Sequence, residues 1–277
     1  MPSKVAVIKT SPSTVVQDYA RLSELCGFSS EMKKGLPSIL KINLSWTKFF
    51  PACSTPPWQL DAVLDLMKKL GITDIHAVEN QTVVTHPWKG AYYNKWLPVL
   101  KKHGVPFEPL TDVKWKGYSP KSEMLAMTKT FDKILVPEMF FGANVIHVPT
   151  MKTHGHTTTT GSMKNAFGGL IPKYRHHAHK RIHEILVDLL AIQREIHPSI
   201  FTFMDGTVAG NGAGPRTMVP VNANMILASA DPVAIDAVSA RLMGFDPMKI
   251  DYLRIAHDMG LGSADVDSIE ILGMDEK

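Results

Sequence analysis

The residue types best suited to chemistry lie in two neighbouring motifs, VPTMKTHGH and, after a run of threonines, GSMKNAFGG. A lysine near the end of a strand can hold a carboxylate or phosphate, and it can act as a base when it is desolvated. A neutral imidazole can move a proton. The motifs therefore predict catalytic roles for Lys152, His154 and Lys164, and a ligand contact for Asn165.

Histidine is concentrated in the same part of the chain, where six of the twelve lie between positions 154 and 183. His176, His179 and His183 are spaced i, i+3, i+7, so they share a face if one helix carries them. This spacing makes His183 a further candidate for proton transfer. Imidazoles also bind transition metals, and the metal ligands predicted on that basis are His154, His156 and His176. The alternative is a solvated, basic start of a helix.

A glycine-rich segment, GTVAGNGAGP, directly follows Asp205. Glycines allow a backbone to approach a ligand closely, so Gly212 and Gly214 are predicted ligand contacts. Asp205 and Asn211 could orient a ligand or a histidine. The segment matches neither the dinucleotide-binding nor the phosphate-loop pattern. The alternative is a tight turn whose aspartate caps backbone N–H groups.

These residues must be positioned by alternating strand and helix patterns, which predict an α/β fold with a mixed, largely parallel sheet and helices on both faces. We expect a single domain over residues 1–277, with 111–130 as an excursion and 150–185 and 205–216 as site-forming segments. Parallel strands deliver their carboxyl ends to one edge. Lys152 and His154 are therefore expected to converge there with Asp205 or Asn211.

The same pattern places Lys164 in the first turns of a helix that opens near Thr159 or Thr160. The free N–H groups of such a helix start favour an anion. A positive neighbourhood also disfavours a charged amine. The sequence therefore predicts that Lys164 titrates low and lies beside a bound anion.

Composition narrows the class of partner. The chain has 277 residues, of which 44% are hydrophobic, and a net charge of +4. That charge fits a small anionic ligand but lacks the basic stripe of a nucleic-acid binder. No apolar run is long enough to span a membrane, and we expect a cytoplasmic protein that contacts neither membrane nor nucleic acid.

Cysteine usage limits the possible cofactors. Cys26 and Cys53 are the only cysteines, too few thiolates for an iron–sulfur cluster. No iron–sulfur cluster of its own is therefore expected, and any other cofactor is left open. If the chemistry involves electrons, they would come from a redox partner protein or a diffusible cofactor.

Several motifs, in order along nearly the whole chain, resemble domain-of-unknown-function family 362. They are KINL, PTMKTH, TGSMKNAFG, DG, GAGP, LASADPVAID and GLG. The resemblance implies a single α/β domain. Many members of that family carry an accompanying ferredoxin-type cysteine segment, which this sequence lacks.

Taken together, the sequence predicts a cytosolic enzyme that acts on a small anionic molecule in a pocket lined by lysine and histidine. Redox chemistry and proton transfer next to a carbonyl are both compatible with these residues, as in an oxidoreductase or an isomerase. The alternative is a non-catalytic protein that binds a cofactor or metal and serves a redox partner.

Overall fold

The computed structural model describes residues 2–274, so residue 1 and residues 275–277 of the predicted domain lie outside the described part. Its strands are β1 (Lys4–Lys9), β2 (Ser38–Ile42), β3 (Ile75–Glu79), β4 (Phe107–Pro109), β5 (Trp115–Gly117), β6 (Leu135–Pro137), β7 (Asn144–Val148), β8 (Thr150–His154), β9 (Thr158–Thr160), β10 (Ile200–Asn211), β11 (Val219–Val221), β12 (Met225–Ser229) and β13 (Glu270–Leu272).

The helices are α1 (Val15–Leu25), α2 (Phe28–Glu31), α3 (Pro57–Lys69), α4 (Pro87–Tyr93), α5 (Trp96–His103), α6 (Met127–Thr130), α7 (Ser162–Leu170), α8 (Ile182–Ile196), α9 (Pro232–Leu242) and α10 (Asp251–Asp258). Short 3-10 turns cover Glu138–Phe140, His176–Arg181, Pro247–Lys249 and Val266–Ser268. No helix within residues 2–274 is long and apolar enough to cross a membrane.

The main sheet is mixed and mostly parallel, which confirms the predicted fold class. Its central strands follow the order β13-β1-β12-β10-β7-β2-β3-β4. The run from β10 to β4 is parallel, whereas β12 is antiparallel to both of its neighbours. The chain builds outward from β2 to β4 in one direction and from β7 to β10 in the other. The order therefore reverses between β2 and β7, and open α/β sheets bind ligands at such a reversal.

Helices cover both faces of the sheet, as predicted. In β1, Val5 and Val7 point to one hydrophobic core, and Ala6 and Ile8 point to the other. This alternation follows from the period of two in a strand. The first core is closed by α7, α8, α9 and α10, and the second by α1, α3 and α5. Two buried faces explain why the central strands are apolar almost throughout.

The sheet continues beyond the carboxyl end of β7. After Pro149, β8 pairs with the distal half of β10, with Lys152 opposite Gly210, and then forms a hairpin with β9. Lys152 and His154 are therefore held on a paired strand. β10 itself runs on through Asp205 to Asn211, so most of the glycine-rich segment belongs to a strand.

Residues 111–130 leave the main sheet. Their strand β5 pairs with β6, which follows this segment, in a separate two-stranded sheet. Two carboxylates of α8 anchor this segment. Glu195 accepts hydrogen bonds from the Tyr118 hydroxyl and from Ser122, and Asp188 accepts from the backbone N–H groups of Leu125 and Met127.

Candidate functional site

A pocket of about 540 Å³ opens where β2 and β7 end, on the side of the sheet covered by α7. Its walls come from the ends of β2 and β3, from β8, from α7 and from the segment after α7. Glu79 is the carboxylate among its lining residues within the described chain. The basic lining side chains are Lys41, Lys152, Lys164, Lys173, Arg175 and Arg216. We call the part of the pocket around the buried Lys41, Lys152 and Arg175 and the half-buried Lys164 the basic pocket.

Lys41 forms the floor of the basic pocket and is fully paired. Its ammonium donates to Glu79 Oε1 at 2.9 Å, to the Ile42 carbonyl, and to Asn165 Oδ1 at 3.4 Å. Glu79 Oε2 accepts from the Leu44 N–H at 2.7 Å. Burial lowers the pKa of Lys41 and Glu79 opposes that shift. An ammonium has three N–H donors, so Lys41 has none left for a ligand.

Asn165 holds Lys41 in place. Its Nδ2 donates to the Lys41 carbonyl at 2.9 Å and lies 3.3 Å from His147 Nδ1. Burial lowers the pKa of His147 to about 3, so that ring is neutral and accepts this bond. Asn165 was a predicted ligand contact; it borders the pocket, but the bonds just described already occupy its amide.

Two glycines of α7 make room for the Lys41 side chain. A Cβ added at Gly169 would lie 3.3 Å from Lys41 Cε, and one at Gly168 would lie 3.2 Å from Lys41 Nζ. Glycine costs about 1 kcal/mol in a helix interior. The close approach of α7 to the end of β2 explains why the helix carries two of them.

Lys152 keeps one N–H donor free among residues 2–274. Its side chain is 1% exposed and donates to Asn43 Oδ1 and to the Cys53 carbonyl, both at 2.7 Å. Burial is the main cause that lowers its pKa to about 8. The third N–H of this ammonium is available to a ligand.

Lys164 is the least satisfied cation of the pocket. Its Nζ lies 4.3 Å from the centre of the Phe167 ring, and within residues 2–274 it makes neither a hydrogen bond nor an ion pair. Burial, followed by the charges of Arg175 and Lys152, lowers its pKa from 10.5 to about 7. This agrees with the low titration expected from the sequence, although burial is its largest cause.

Arg175 is buried and held from one side only. Its Nη1 donates to the carbonyls of Gln81, Ile171 and Pro172 at 3.1 to 3.3 Å. Its Nε and Nη2 make no hydrogen bond within the described residues. Burial lowers its pKa to about 10, so it stays protonated at neutral pH.

The start of α7 differs from the prediction in two ways. Thr159 and Thr160 belong to β9, and the helix opens at Ser162. Its first N–H groups are also not free, because the Asp236 carboxylate accepts from Ser162 at 2.6 Å and from Met163 at 3.0 Å. The protein itself thus supplies the acceptor at this helix N-terminus, and burial raises the pKa of Asp236 to about 7 while its bonds to Ser162 and Met163 oppose that shift.

Gly161 permits this cap. A Cβ there would lie 2.0 Å from Asp236 Oδ1. Its φ of −174° can be adopted by any residue. Glycine is therefore required here by the close contact with the carboxylate and not by the backbone angle.

The histidines form a row along the pocket wall. Neighbouring ring centres are 5.8 Å apart for His154 and His156, 5.3 Å for His156 and His179, and 5.2 Å for His179 and His176. His154 Nδ1 accepts from the His156 N–H at 3.0 Å. Burial and then Lys164 lower the pKa of His154 to about 3, so the ring is neutral and its proton is on Nε2.

The predicted metal ligands His154, His156 and His176 all line this pocket, and their role as ligands stays a prediction. Within residues 2–274, no group of three His, Cys, Asp or Glu side chains is arranged to hold a metal ion. Neighbouring ring planes in the row are tilted by 47°, 59° and 41°, and a backbone N–H occupies one nitrogen of His154.

Other predicted residues lie outside the pocket. His183 stacks on Tyr252 with ring centres 6.0 Å apart, and its Nδ1 accepts from the Tyr252 N–H. Asn211 Oδ1 accepts from the N–H of Gly212. Of the predicted ligand-binding glycines, only Gly214 lines the pocket.

Asp205 lies on the opposite face of the sheet from the basic pocket. Its Oδ2 accepts from the Tyr19 hydroxyl at 2.9 Å and from Trp58 Nε1 at 3.0 Å. Its Oδ1 accepts from the Thr207 hydroxyl at 2.7 Å. We call these four residues the Asp205 cluster. It is built from α1, α3 and β10, so the expected convergence of Asp205 and Asn211 with Lys152 does not occur.

The sequence reading missed Lys41, Glu79 and Arg175. Lys41 and Glu79 each lie at the end of an apolar strand run, SILKI and IHAVE, and a charge there is a signal that could have been used. Arg175 lies in the irregular segment between α7 and α8, where no periodicity marks it.

Comparisons with known proteins agree on the family. The family model described as Domain of unknown function (DUF362) matches residues 39–241. A protein of Synechocystis sp. (strain ATCC 27184 / PCC 6803 / Kazusa), named as thylakoid-associated, is 26% identical over 253 residues, which are 87% of this chain and 73% of that protein.

A crystal structure of a Thermotoga maritima protein aligns with a TM-score of 0.42 and 10% identity. The alignment covers 90% of this chain, which spans only 60% of the length of that protein.

Proposed function

The chain belongs to DUF362, a family of domains of unknown function, and we propose that it is an enzyme that binds a small organic anion in the basic pocket. Within that pocket, Lys164 moves a proton to and from the bound molecule. The observation that carries the proposal is the state of Lys164: it lines the pocket, has no carboxylate partner among residues 2–274, and has a pKa of about 7.

Charge supports the binding of an anion. Glu79 already neutralises Lys41 at 2.9 Å, so among residues 2–274 Lys152 and Arg175 have no direct counterion, and neither does Lys164 when it is protonated. Buried charges are costly unless they are paired. An anion that enters the pocket offsets this cost and uses the free N–H donors of the three side chains.

Proton transfer is the reaction that Lys164 fits best. A general base works best when its pKa is close to the working pH, and about 7 meets that condition. The neutral amine would take a proton from a carbon next to a carbonyl. The electron pair left on that carbon moves to the carbonyl oxygen, giving an enolate. Return of the proton completes an isomerase-type reaction without net oxidation.

Two neighbours suit the charge that develops on that oxygen. His154 is neutral and carries its proton on Nε2, so it can donate a hydrogen bond without being acidic enough to lose that proton. Lys152 supplies a fixed positive charge and its one free N–H. Donors held in position in this way stabilise an oxyanion more than water does.

The test is solvent-exchange spectroscopy. The parent and three variants, Lys164→Arg, Lys164→Met and Lys129→Met, are incubated in D₂O with a panel of 2-oxo and 2-hydroxy acids and their phosphate esters. We expect deuterium at the carbon next to the carbonyl with at least one compound. Lys164→Arg should bind that compound but exchange it about 100-fold more slowly, because guanidinium does not deprotonate.

Lys129 is exposed, and Lys129→Met is the matched control that should behave like the parent. Exchange that survives in Lys164→Met would contradict the proposed role of Lys164. Binding without exchange in the parent would favour the other reading, in which the domain holds a ligand for a redox partner.

The proposed place of action is the cytoplasm. The Synechocystis relative is named as thylakoid-associated, which makes a membrane-bound pool the competing location. Cell fractionation followed by immunodetection of the chain separates the two.

A further inference from the structure

We propose that the molecule bound in the basic pocket carries a phosphate group, which Arg175 grips with the edge of its guanidinium formed by Nε and Nη2. This inference rests on the proposed anion site and names its substrate class. It divides the pocket into a phosphate end at Arg175 and a reacting end at Lys152, His154 and Lys164.

The first support is the way in which Arg175 is held. All three of its hydrogen bonds leave from Nη1, toward the carbonyls of Gln81, Ile171 and Pro172. The Ile171 carbonyl also accepts from Asn80 Nδ2 at 3.0 Å, which ties this loop to the end of β3. The guanidinium is therefore oriented before any ligand arrives.

The second support is the geometry of the free edge. The N–H groups of Nε and Nη2 point in parallel, and such a fork matches two oxygens of a phosphate or carboxylate. Arg175 is 6% exposed and lines the pocket. On the surface, the same pair of N–H groups would already be hydrogen-bonded to water. Because Arg175 is desolvated, binding an oxyanion lowers its free energy more than it would for a surface arginine.

The third support is the number of charges. Lys173 lies two positions before Arg175 in the sequence and also lines the pocket, so this segment contributes two cations to it. Lys152 and Lys164 add their charge at the other end. A single carboxylate offers one negative charge to this set, whereas a phosphate ester offers nearly two at neutral pH and has three oxygens to share. Phosphate is therefore the better match.

The ring of Phe167 lies beside both ends. Lys164 Nζ lies 4.3 Å from its centre and Arg175 Cζ lies 5.5 Å from it. The charge of Arg175 therefore acts on this amine, while the lone pair of the neutral amine is left for the proton on the reacting carbon.

The experiment is calorimetric titration of the whole chain with inorganic phosphate, sulfate and acetate. We expect phosphate to bind, and acetate to bind at least about tenfold more weakly. Arg175→Lys keeps the charge but removes the fork, and it should weaken phosphate binding about tenfold or more, since a bidentate site does not tolerate lysine. Arg181→Lys, on a half-buried arginine outside the pocket, is the matched control and should bind within twofold of the parent.

A second measurement needs no variant. Phenylglyoxal modifies arginine, and peptide mass spectrometry reports the fraction modified at each site. Saturating phosphate should protect Arg175 and leave Arg181 unprotected. The proposal is overturned if phosphate does not bind the parent, if Arg175 is modified at the same rate with and without phosphate, or if Arg175→Lys binds phosphate like the parent.

The two proposals fail separately. Phosphate binding that depends on Arg175, without deuterium exchange in any compound, would leave the phosphate site standing and remove the proposed reaction. Deuterium exchange that depends on Lys164, together with phosphate binding that does not depend on Arg175, would keep the proposed reaction and remove the phosphate site.

Discussion

The Asp205 cluster and the basic pocket are both buried polar groups at the carboxyl-terminal side of the sheet, and they differ in what is left unsatisfied. In the cluster, both oxygens of Asp205 are matched by donors from Tyr19, Trp58 and Thr207. In the pocket, Lys164 has no acceptor and Arg175 uses one nitrogen of three within the described chain. Spare bonding capacity, more than burial, therefore distinguishes a site from a structural network.

The two regions also differ in the charge of their buried groups, which is negative in the cluster and positive in the pocket. In the cluster, burial raises the pKa of Asp205 and its hydrogen bonds oppose that shift. The carboxylate therefore needs no further partner. In the pocket, burial lowers the pKa values of the basic side chains. A bound anion would stabilise the charged form of each of them. The comparison leads to separable predictions, since one region should govern stability and the other should govern binding.

The largest expected effect is on stability, from Asp205→Ala. Removal of the carboxylate leaves the buried Tyr19 hydroxyl and Trp58 N–H without a partner, which should cost roughly 2–5 kcal/mol of the free energy of unfolding. Urea denaturation followed by circular dichroism measures it. Asp65→Ala, on a half-exposed carboxylate paired with Lys69, is the control and should change stability by less than about 0.5 kcal/mol.

Phosphate binding supplies the other half of that test. Asp205→Ala should bind phosphate like the parent at a temperature at which it is folded. If it stays fully stable and loses binding, the division between cluster and pocket is wrong.

A smaller effect is expected from Gly161→Ala, at the start of α7. The new Cβ would meet Asp236 Oδ1 at 2.0 Å, and the buried carboxylate must shift and loosen the cap of the helix. The expected loss is about 1–3 kcal/mol, measured by urea denaturation. Gly117→Ala is the control, because nothing lies within 4 Å of its added Cβ; equal stabilities of the two variants would show that the cap is not tightly packed.

The fold was largely predictable, because it depends on periodic patterns over many residues. Apolar runs such as those of β2 and β7 mark central strands whatever their partners are. The site was less predictable, because it depends on which face a residue takes. Asp205 follows Phe201 and Phe203 at a spacing of two, so it points to the core of α1 and α3, and counting along β10 would have placed it there.

Other parts of the site depend on contacts that no local pattern encodes. The cap of α7 comes from Asp236, 74 positions away along the chain from Ser162. The partner of Lys41 is Glu79, at the end of another strand. Arg175 acquires its orientation from three carbonyls of irregular backbone. Each is set by tertiary packing, and the lysine and histidine motifs could only indicate the neighbourhood.

A further expected effect is a change in how stability depends on pH. The pKa of Lys164 is lower in the folded chain, about 7, than its ordinary value of 10.5. The unfolded chain therefore binds more protons between these values, and stability should rise as the pH increases through this window. Lys164→Met should flatten that rise, whereas Lys129→Met should not. Denaturation at several pH values from 7 upward measures it, and an unchanged slope in Lys164→Met would mean that the amine is not desolvated.

The most direct test of the central claim is the titration of Lys164 in the parent protein. The rate of its acylation by a trace of acetic anhydride, followed by peptide mass spectrometry across pH, reports the fraction of neutral amine. We predict a midpoint near 7 for Lys164. A midpoint for Lys164 near its ordinary value of 10.5 would contradict the account, because the pocket would then hold neither a desolvated amine nor a base.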